Sequence, residues 1–153
     1  MLRLFFCAKL FLMKKYRAIA AIIVSRKDKF LLVRKPRQDY AWQFPQGGVE
    51  AGETLPEAAL RELAEECGSA LSVELNLEKV GEYRYDFPSE FRRHDSYITS
   101  AHVTFFSAQY ISGEPQADGV ELVETRWCLL DEVKELVEPD YFKAVEQLIC
   151  SEE

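Results

Sequence analysis

Three glutamates, Glu62, Glu65 and Glu66, lie within five consecutive positions of a segment rich in helix formers that runs from Leu55 to Cys67. On a helix, Glu62 and Glu66 are i,i+4 neighbours and Glu62 and Glu65 are i,i+3 neighbours, so the three carboxylates converge. Like charges at that spacing repel by about 0.2–0.5 kcal/mol per pair. A hard divalent cation with oxygen ligands, Mg²⁺ or Mn²⁺, offsets that repulsion and supplies the clamp that a polyphosphate needs. The competing reading is an exposed helix held by ion pairs, but Arg61 is the single local cation and leaves the acids unbalanced. Arg61 can instead bridge to Glu53 and orient the loop before the helix, in which Gly47, Gly48 and Gly52 supply unusual backbone angles. Gly68 stops the helix.

The elements that must position these residues are legible in outline. With Leu60 at the centre of one helix face, Leu63, Ala64 and Cys67 fall beside it and Arg61, Glu62, Glu65 and Glu66 fall on the far side, which predicts a packed apolar stripe and a presented acidic face. Tyr16 to Val24 and Phe30 to Val33 read as strands around a polar turn, with further strands at Val80 to Phe87, Ile98 to Tyr110 and Glu124 to Leu130. Glu132 to Val137 and Tyr141 to Ile149 read as helices. Strands and helices mix without regular alternation, with no repeat and no linker, so residues 14–153 form one domain.

The stretch from Gly47 to Gly68 resembles the Nudix box: Gly, five residues, Glu, seven residues, then Arg-Glu-aliphatic-x-Glu-Glu-x-Gly-aliphatic. Gly47, Glu53, Arg61, Glu62, Leu63, Glu65, Glu66 and Gly68 fill that pattern at the right spacing. Ser69 departs from it at the last aliphatic position, where Leu71 is a nearby substitute. The resemblance implies an α/β fold, a Nudix-type α/β/α sandwich with a mixed central sheet, and hydrolysis of a nucleoside diphosphate linked to another moiety. It makes Glu65 and Glu66 the principal metal ligands and Glu62 either a third ligand or the base that deprotonates the attacking water. A further metal ligand or base often comes from a downstream loop; Glu121, six residues before Trp127, matches an acidic residue of the bacterial RNA pyrophosphohydrolases, with Glu124 as the alternative. Bound metal would stabilise charge on the phosphoryl oxygens and lower the pKa of water.

Trp42-Gln-Phe-Pro-Gln-Gly-Gly48 and Tyr16-Arg17 also resemble segments of the RNA pyrophosphohydrolases and the related dinucleoside polyphosphate hydrolases. Arg17, Arg34, Lys35 and Arg37 are therefore candidate phosphate contacts, with Arg92-Arg93-His94 in a loop as a further group. Trp42 and Phe44 are candidate base contacts, burial in the core being the alternative; Tyr85, Phe87 and Tyr141 are further stacking candidates. The substrates implied are a nucleotide or the 5′ end of triphosphorylated RNA, or a dinucleoside polyphosphate. An NTP or ADP-ribose substrate, or a catalytically silent nucleotide-binding module, are the alternatives.

Charge and composition narrow the classes. The chain has 153 residues and a net charge of −7, unevenly spread: Lys14 to Arg37 carries nine Lys/Arg against Asp28, whereas Glu50 to Glu66 carries six acids against Arg61. The acidic balance argues against coating duplex DNA. No apolar run reaches the roughly 18 residues of a membrane span. Cys7, Cys67, Cys128 and Cys150 are dispersed and only His94 and His102 are present, which removes zinc-ribbon sites and points to a reduced, cytoplasmic setting. Residues 1–13 read as an N-terminal extension ahead of a natural start at Met13, with a docked amphipathic helix as the alternative; the oligomeric state, monomer or homodimer, is open.

Overall fold

The structure, a computed structural model, describes residues 15–87 and 98–150. The N-terminal extension and the Arg92-Arg93-His94 segment lie outside the described residues. Among the described residues, seven strands form one mixed sheet: β1 (Lys15–Arg26), β2 (Lys29–Arg34), β3 (Trp42–Gln43), β4 (Gln46–Gly48), β5 (Ser72–Asp86), β6 (Ile98–Ser112) and β7 (Glu124–Leu129). The order is β3-β2-β1-β6-β5, with β4 also pairing β1 and β7 also pairing β2. β1 and β6 run parallel, paired from Lys15 and Ile98 to Ser25 and Gln109, and the other pairs are antiparallel.

β1 is central because it is apolar on both faces. Ile19, Ala21 and Ile23 join one buried cluster while Ala20, Ile22 and Val24 join the other. Helix α1 (Leu55–Cys67) covers the second face; α2 (Leu130–Leu136) and α3 (Pro139–Cys150) cover the first. Tyr141, Phe142, Val145 and Ile149 supply the packed stripe of α3. The result is an α/β sandwich with helices on both sides of the sheet.

Two elements differ from the sequence reading. Gln46–Gly48 is a strand rather than a loop, registered with Ile19, Ala20 and Ala21 of β1. β5 begins eight residues before Val80, since Val73 and Leu75 already pair with Tyr110 and Ala108. Register shifts between Leu75 and Gly81 then turn the strand over: Val73 and Leu75 pack toward α1, whereas Tyr83 and Tyr85 pack toward α3. That break separates the alternating run Val73, Leu75, Leu77 from the run Tyr83, Tyr85, Phe87, so the sequence does not read as one continuous strand.

Candidate active site

Helix α1 starts at a capping box: Thr54 Oγ1 accepts from the Glu57 N–H at 3.3 Å, and Glu57 accepts from the Thr54 N–H at 3.3 Å. It ends at Gly68, whose φ of +85° favours glycine. The buried side chains are Ala58, Ala59, Leu63, Glu66 and Cys67. The stripe is thus rotated from the expected one: Leu60 is 40% exposed, and the face that meets the sheet carries an acid. Ala59 and Leu63 prevail because Leu31, Val33 and Ile22 of the sheet lie in the same cluster.

Arg61 organises the loop ahead of the helix. Its Nε donates to Glu53 Oε2 at 2.7 Å and its Nη2 to Glu53 Oε1 at 2.9 Å, a two-pronged pair, while Nη2 also reaches the Gly48 carbonyl at 2.8 Å. Nη1 donates to Glu62 at 2.8 Å and to Glu65 at 3.2 Å. Glu53 in turn accepts from the Glu50 N–H at 3.1 Å. The Arg61 hydrogen bond, followed by that backbone donor, brings the Glu53 carboxyl down to about 2, and the acids around Arg61 raise its pKa further.

Of the loop glycines, Gly52 has the positive φ, +79°. Gly47 and Gly48 serve a different purpose from the expected one, giving room rather than backbone angle. A Cβ on Gly47 would run into the Glu62 carboxylate, and one on Gly48 would lie 2.6 Å from an Arg17 nitrogen. β4 therefore passes directly between Glu62 and Arg17.

The three glutamates do not meet. Glu62 and Glu65 both lean on Arg61, and Glu65 is 57% exposed. Glu66 is 4% exposed and takes Lys35 Nζ at 2.9 Å on Oε1. Burial raises the Glu66 carboxyl to about 7, against the pull of Lys35, and the Gln46 N–H also donates to it. Glu66 Oε2 is buried and has no partner. Among the described residues, no three His, Cys, Asp or Glu side chains are grouped to hold a metal, so the expected convergence is replaced by ion pairing to Arg61 and Lys35. The donor chemistry still fits a hard divalent ion: carboxylate oxygens beside a glycine strand, one of them buried with an open lone pair.

Glu121 is exposed on the loop before β7. Asp118 Oδ1 shapes that loop by accepting from the N–H groups of Val120, Glu121 and Leu122 at 2.9, 3.0 and 3.0 Å. The Val123 N–H donates to the Arg34 carbonyl at 2.9 Å, which ties the loop to the residue before Lys35. Glu124, the alternative, is paired with Arg34 at 3.2 Å.

A cavity of about 320 Å³ opens on the α3 side, lined by Arg37, Trp42, Gln46, Tyr83, Tyr85 and Tyr141 among others. Tyr83 and Tyr85 stack at 5.6 Å, and Tyr141 meets Tyr83 edge-on at 5.8 Å. The Tyr141 hydroxyl donates to Gln46 Oε1 at 3.0 Å and accepts from the Phe44 N–H at 3.3 Å. Because the Gln46 backbone also donates to Glu66, the cavity and the buried carboxylate share one residue. Arg37 is held at the cavity by the Tyr40 carbonyl at 2.7 Å and Gln43 at 3.1 Å. Arg37 and Arg17 both act electrostatically on the Tyr85 phenol, whose pKa burial raises.

The other sequence candidates divide. Trp42 lines the cavity, with the Arg34 and Arg126 guanidiniums 5.9 and 5.6 Å from its ring centre. Phe44 is fully buried in the core and presents no face to a base. Arg34 lies outside the cavity lining, engaged with Glu124 and Trp42. Gln46 and Tyr83 escaped the sequence reading; the signal available for Tyr83 was the period-2 run Tyr83, Tyr85, Phe87 on a strand, and Gln46 had none.

A NUDIX domain model matches residues 14–148. An RNA pyrophosphohydrolase of Caulobacter vibrioides is 37% identical over 136 residues, covering 82% of this chain and 78% of its own. One from Campylobacter jejuni is 42% identical over 82 residues, half of each chain. Among solved structures, a NUDIX hydrolase from Nitrosomonas europaea superposes with a TM-score of 0.68 at 25% identity, covering 90% of both chains. The E. coli dihydroneopterin triphosphate pyrophosphohydrolase does so with a TM-score of 0.67 at 22% identity, covering 90% of this chain and 99% of its own.

Proposed function

This chain belongs to the Nudix family and is a hydrolase of pyrophosphate bonds, and on that premise we propose that its substrate is the 5′ end of triphosphorylated RNA, with dinucleoside polyphosphates as the second candidate. Nudix hydrolases generally use divalent metal ions; Mg²⁺ is the ion proposed here, with Mn²⁺ as its substitute. The observation that carries the reading is the junction at Gln46, where an aromatic, arginine-rimmed cavity adjoins the buried Glu66 carboxylate. A base seated among Tyr83, Tyr85 and Trp42 would direct its phosphates toward α1. The naming of the Caulobacter relative supports RNA as the substrate class.

Glu62, Glu65 and Glu66 would hold the ion, with Glu121 as a further ligand or base supplied from the loop anchored beside Lys35. When bound, the ion supplies charge neutralisation at the phosphoryl oxygens and acidifies water. The chain's own groups do the rest. Arg17 and Arg37 bind phosphate oxygens beside the base cavity. Arg61, locked on Glu53 and the Gly48 carbonyl, fixes the strand-to-helix loop so that Glu62 stays against Gly47. Glu62, or Glu121, accepts the proton of the attacking water.

The test is phosphate release with Mg²⁺ over a panel of triphosphorylated RNA, diadenosine polyphosphates, NTPs and ADP-ribose. Preferred turnover of the RNA or the diadenosine compounds is the expected result. Preference for an NTP or ADP-ribose would replace the substrate class, and binding with no turnover anywhere would mark a silent nucleotide-binding module.

A further inference from the structure

Lys35 is the residue immediately after β2, and its backbone is fixed by a 2.9 Å hydrogen bond from its N–H to the Ala41 carbonyl. Its side chain runs inward to Glu66, with Nζ 2.9 Å from Oε1 and the two side chains 24% and 4% exposed. A buried carboxylate without a counter-charge is strongly disfavoured, and this ammonium is the counter-charge that the Glu66 side chain has under the helix. The pair is incomplete, because Glu66 Oε2 is buried and has no partner. A four-carbon stem on a fixed backbone can leave the carboxylate without moving β2.

We propose that Lys35 is an exchangeable counter-ion, occupying Glu66 in the metal-free protein and giving the carboxylate up when a divalent cation binds. The inference rests on the reading of Glu66 as a metal ligand. Two cations on one buried carboxylate repel each other across a few ångströms of low-dielectric interior. Metal and ammonium therefore compete for Glu66, and by linkage each weakens the other equally. The metal-free helix is protected from its own buried acid, and the released ammonium is left beside the site at which phosphate arrives.

The experiment is a titration with Mn²⁺ alone, followed by its paramagnetic signal, on wild type, Lys35→Met, Glu66→Gln and the double variant. Removing the competitor should tighten Mn²⁺ binding by about tenfold, within the range typical of coupled sites, and the gain should disappear when Glu66 is already Gln. In the absence of metal, Lys35→Met should melt at a lower temperature than wild type, and saturating Mn²⁺ should close that gap. The double variant, with a neutral pair in place of the charged one, keeps the comparison available if Lys35→Met folds poorly. Unchanged or weaker Mn²⁺ binding in Lys35→Met overturns the exchange. An equal gain in the Glu66→Gln background also overturns it, since that is a general field effect. Failure of wild type to bind Mn²⁺ would overturn the assignment of Glu66 as ligand and the exchange with it, whereas Mn²⁺ binding that ignores Lys35 overturns the exchange alone.

Discussion

Arg61 makes five hydrogen bonds, and two of them go to the carboxylate of Glu53. Glu53 is therefore the anchor of the loop rather than a spare acid in a charged stretch. Its folded-state pKa, about 2, lies below the ordinary 4.5. The sign follows: the unfolded chain takes up the proton first, so the stabilisation is present above pH 4.5 and is lost as pH falls toward 2. Glu53→Gln should flatten the thermal midpoint over that acid window relative to wild type; parallel curves would count against the anchor role. Glu66 belongs to the other half of the residue-scale picture. Glu66→Gln keeps the shape of the buried side chain and removes a ligand charge, so Mg²⁺-dependent turnover should fall by about 100-fold or more while circular dichroism is unchanged. Turnover close to wild type would remove Glu66 from the site. Charge type and spacing made Arg61, Glu53 and Glu66 visible in the sequence. The partner of Glu66 was not, because Lys35 comes from 31 residues upstream and only the sheet brings it there.

At the scale of elements, β4 and α1 act as facing walls. Gly47 of β4 lies so close to Glu62 of α1 that no side chain fits between them. Gly47→Ala should push the Glu62 carboxylate off the strand, lowering kcat by about 10- to 100-fold with little change in the melting temperature, since the backbone angle at Gly47 is one alanine can adopt. A large loss of stability with normal specific activity would show that the contact serves packing instead. The same walls explain where the sequence misled. Helical periodicity located α1 and its caps, but centring the stripe on Leu60 put it on the exposed side, because an amphipathic plot assigns every acid to solvent and here Glu66 faces the sheet. β4 has three residues, two of them glycine, and so carries no hydrophobic signal; its pairing with Ile19, Ala20 and Ala21 is a tertiary fact. β1 and β6, long and apolar, were legible for the opposite reason.

At the scale of the whole molecule, a chain of net charge −7 must receive a polyanion. The general field opposes approach, so affinity for RNA has to come from local contacts: the base cavity, the bound ion and a few arginines. Arg17 is the best placed of these, exposed on β1 with its guanidinium against Gly48 and close enough to influence Tyr85. Each phosphate neutralised on a single strand contributes a slope of about −0.7 to log K against log salt. For a triphosphorylated oligoribonucleotide bound to the Glu66→Gln protein, Arg17→Gln should therefore weaken binding and make the salt dependence shallower by about 0.7. A variant that binds more weakly with an unchanged slope would mean that Arg17 only supports β4 from behind. In that case the phosphates would have to be met by Arg37 and the metal, and the N-terminal end of β1 would be a wall of the site without being part of its binding surface.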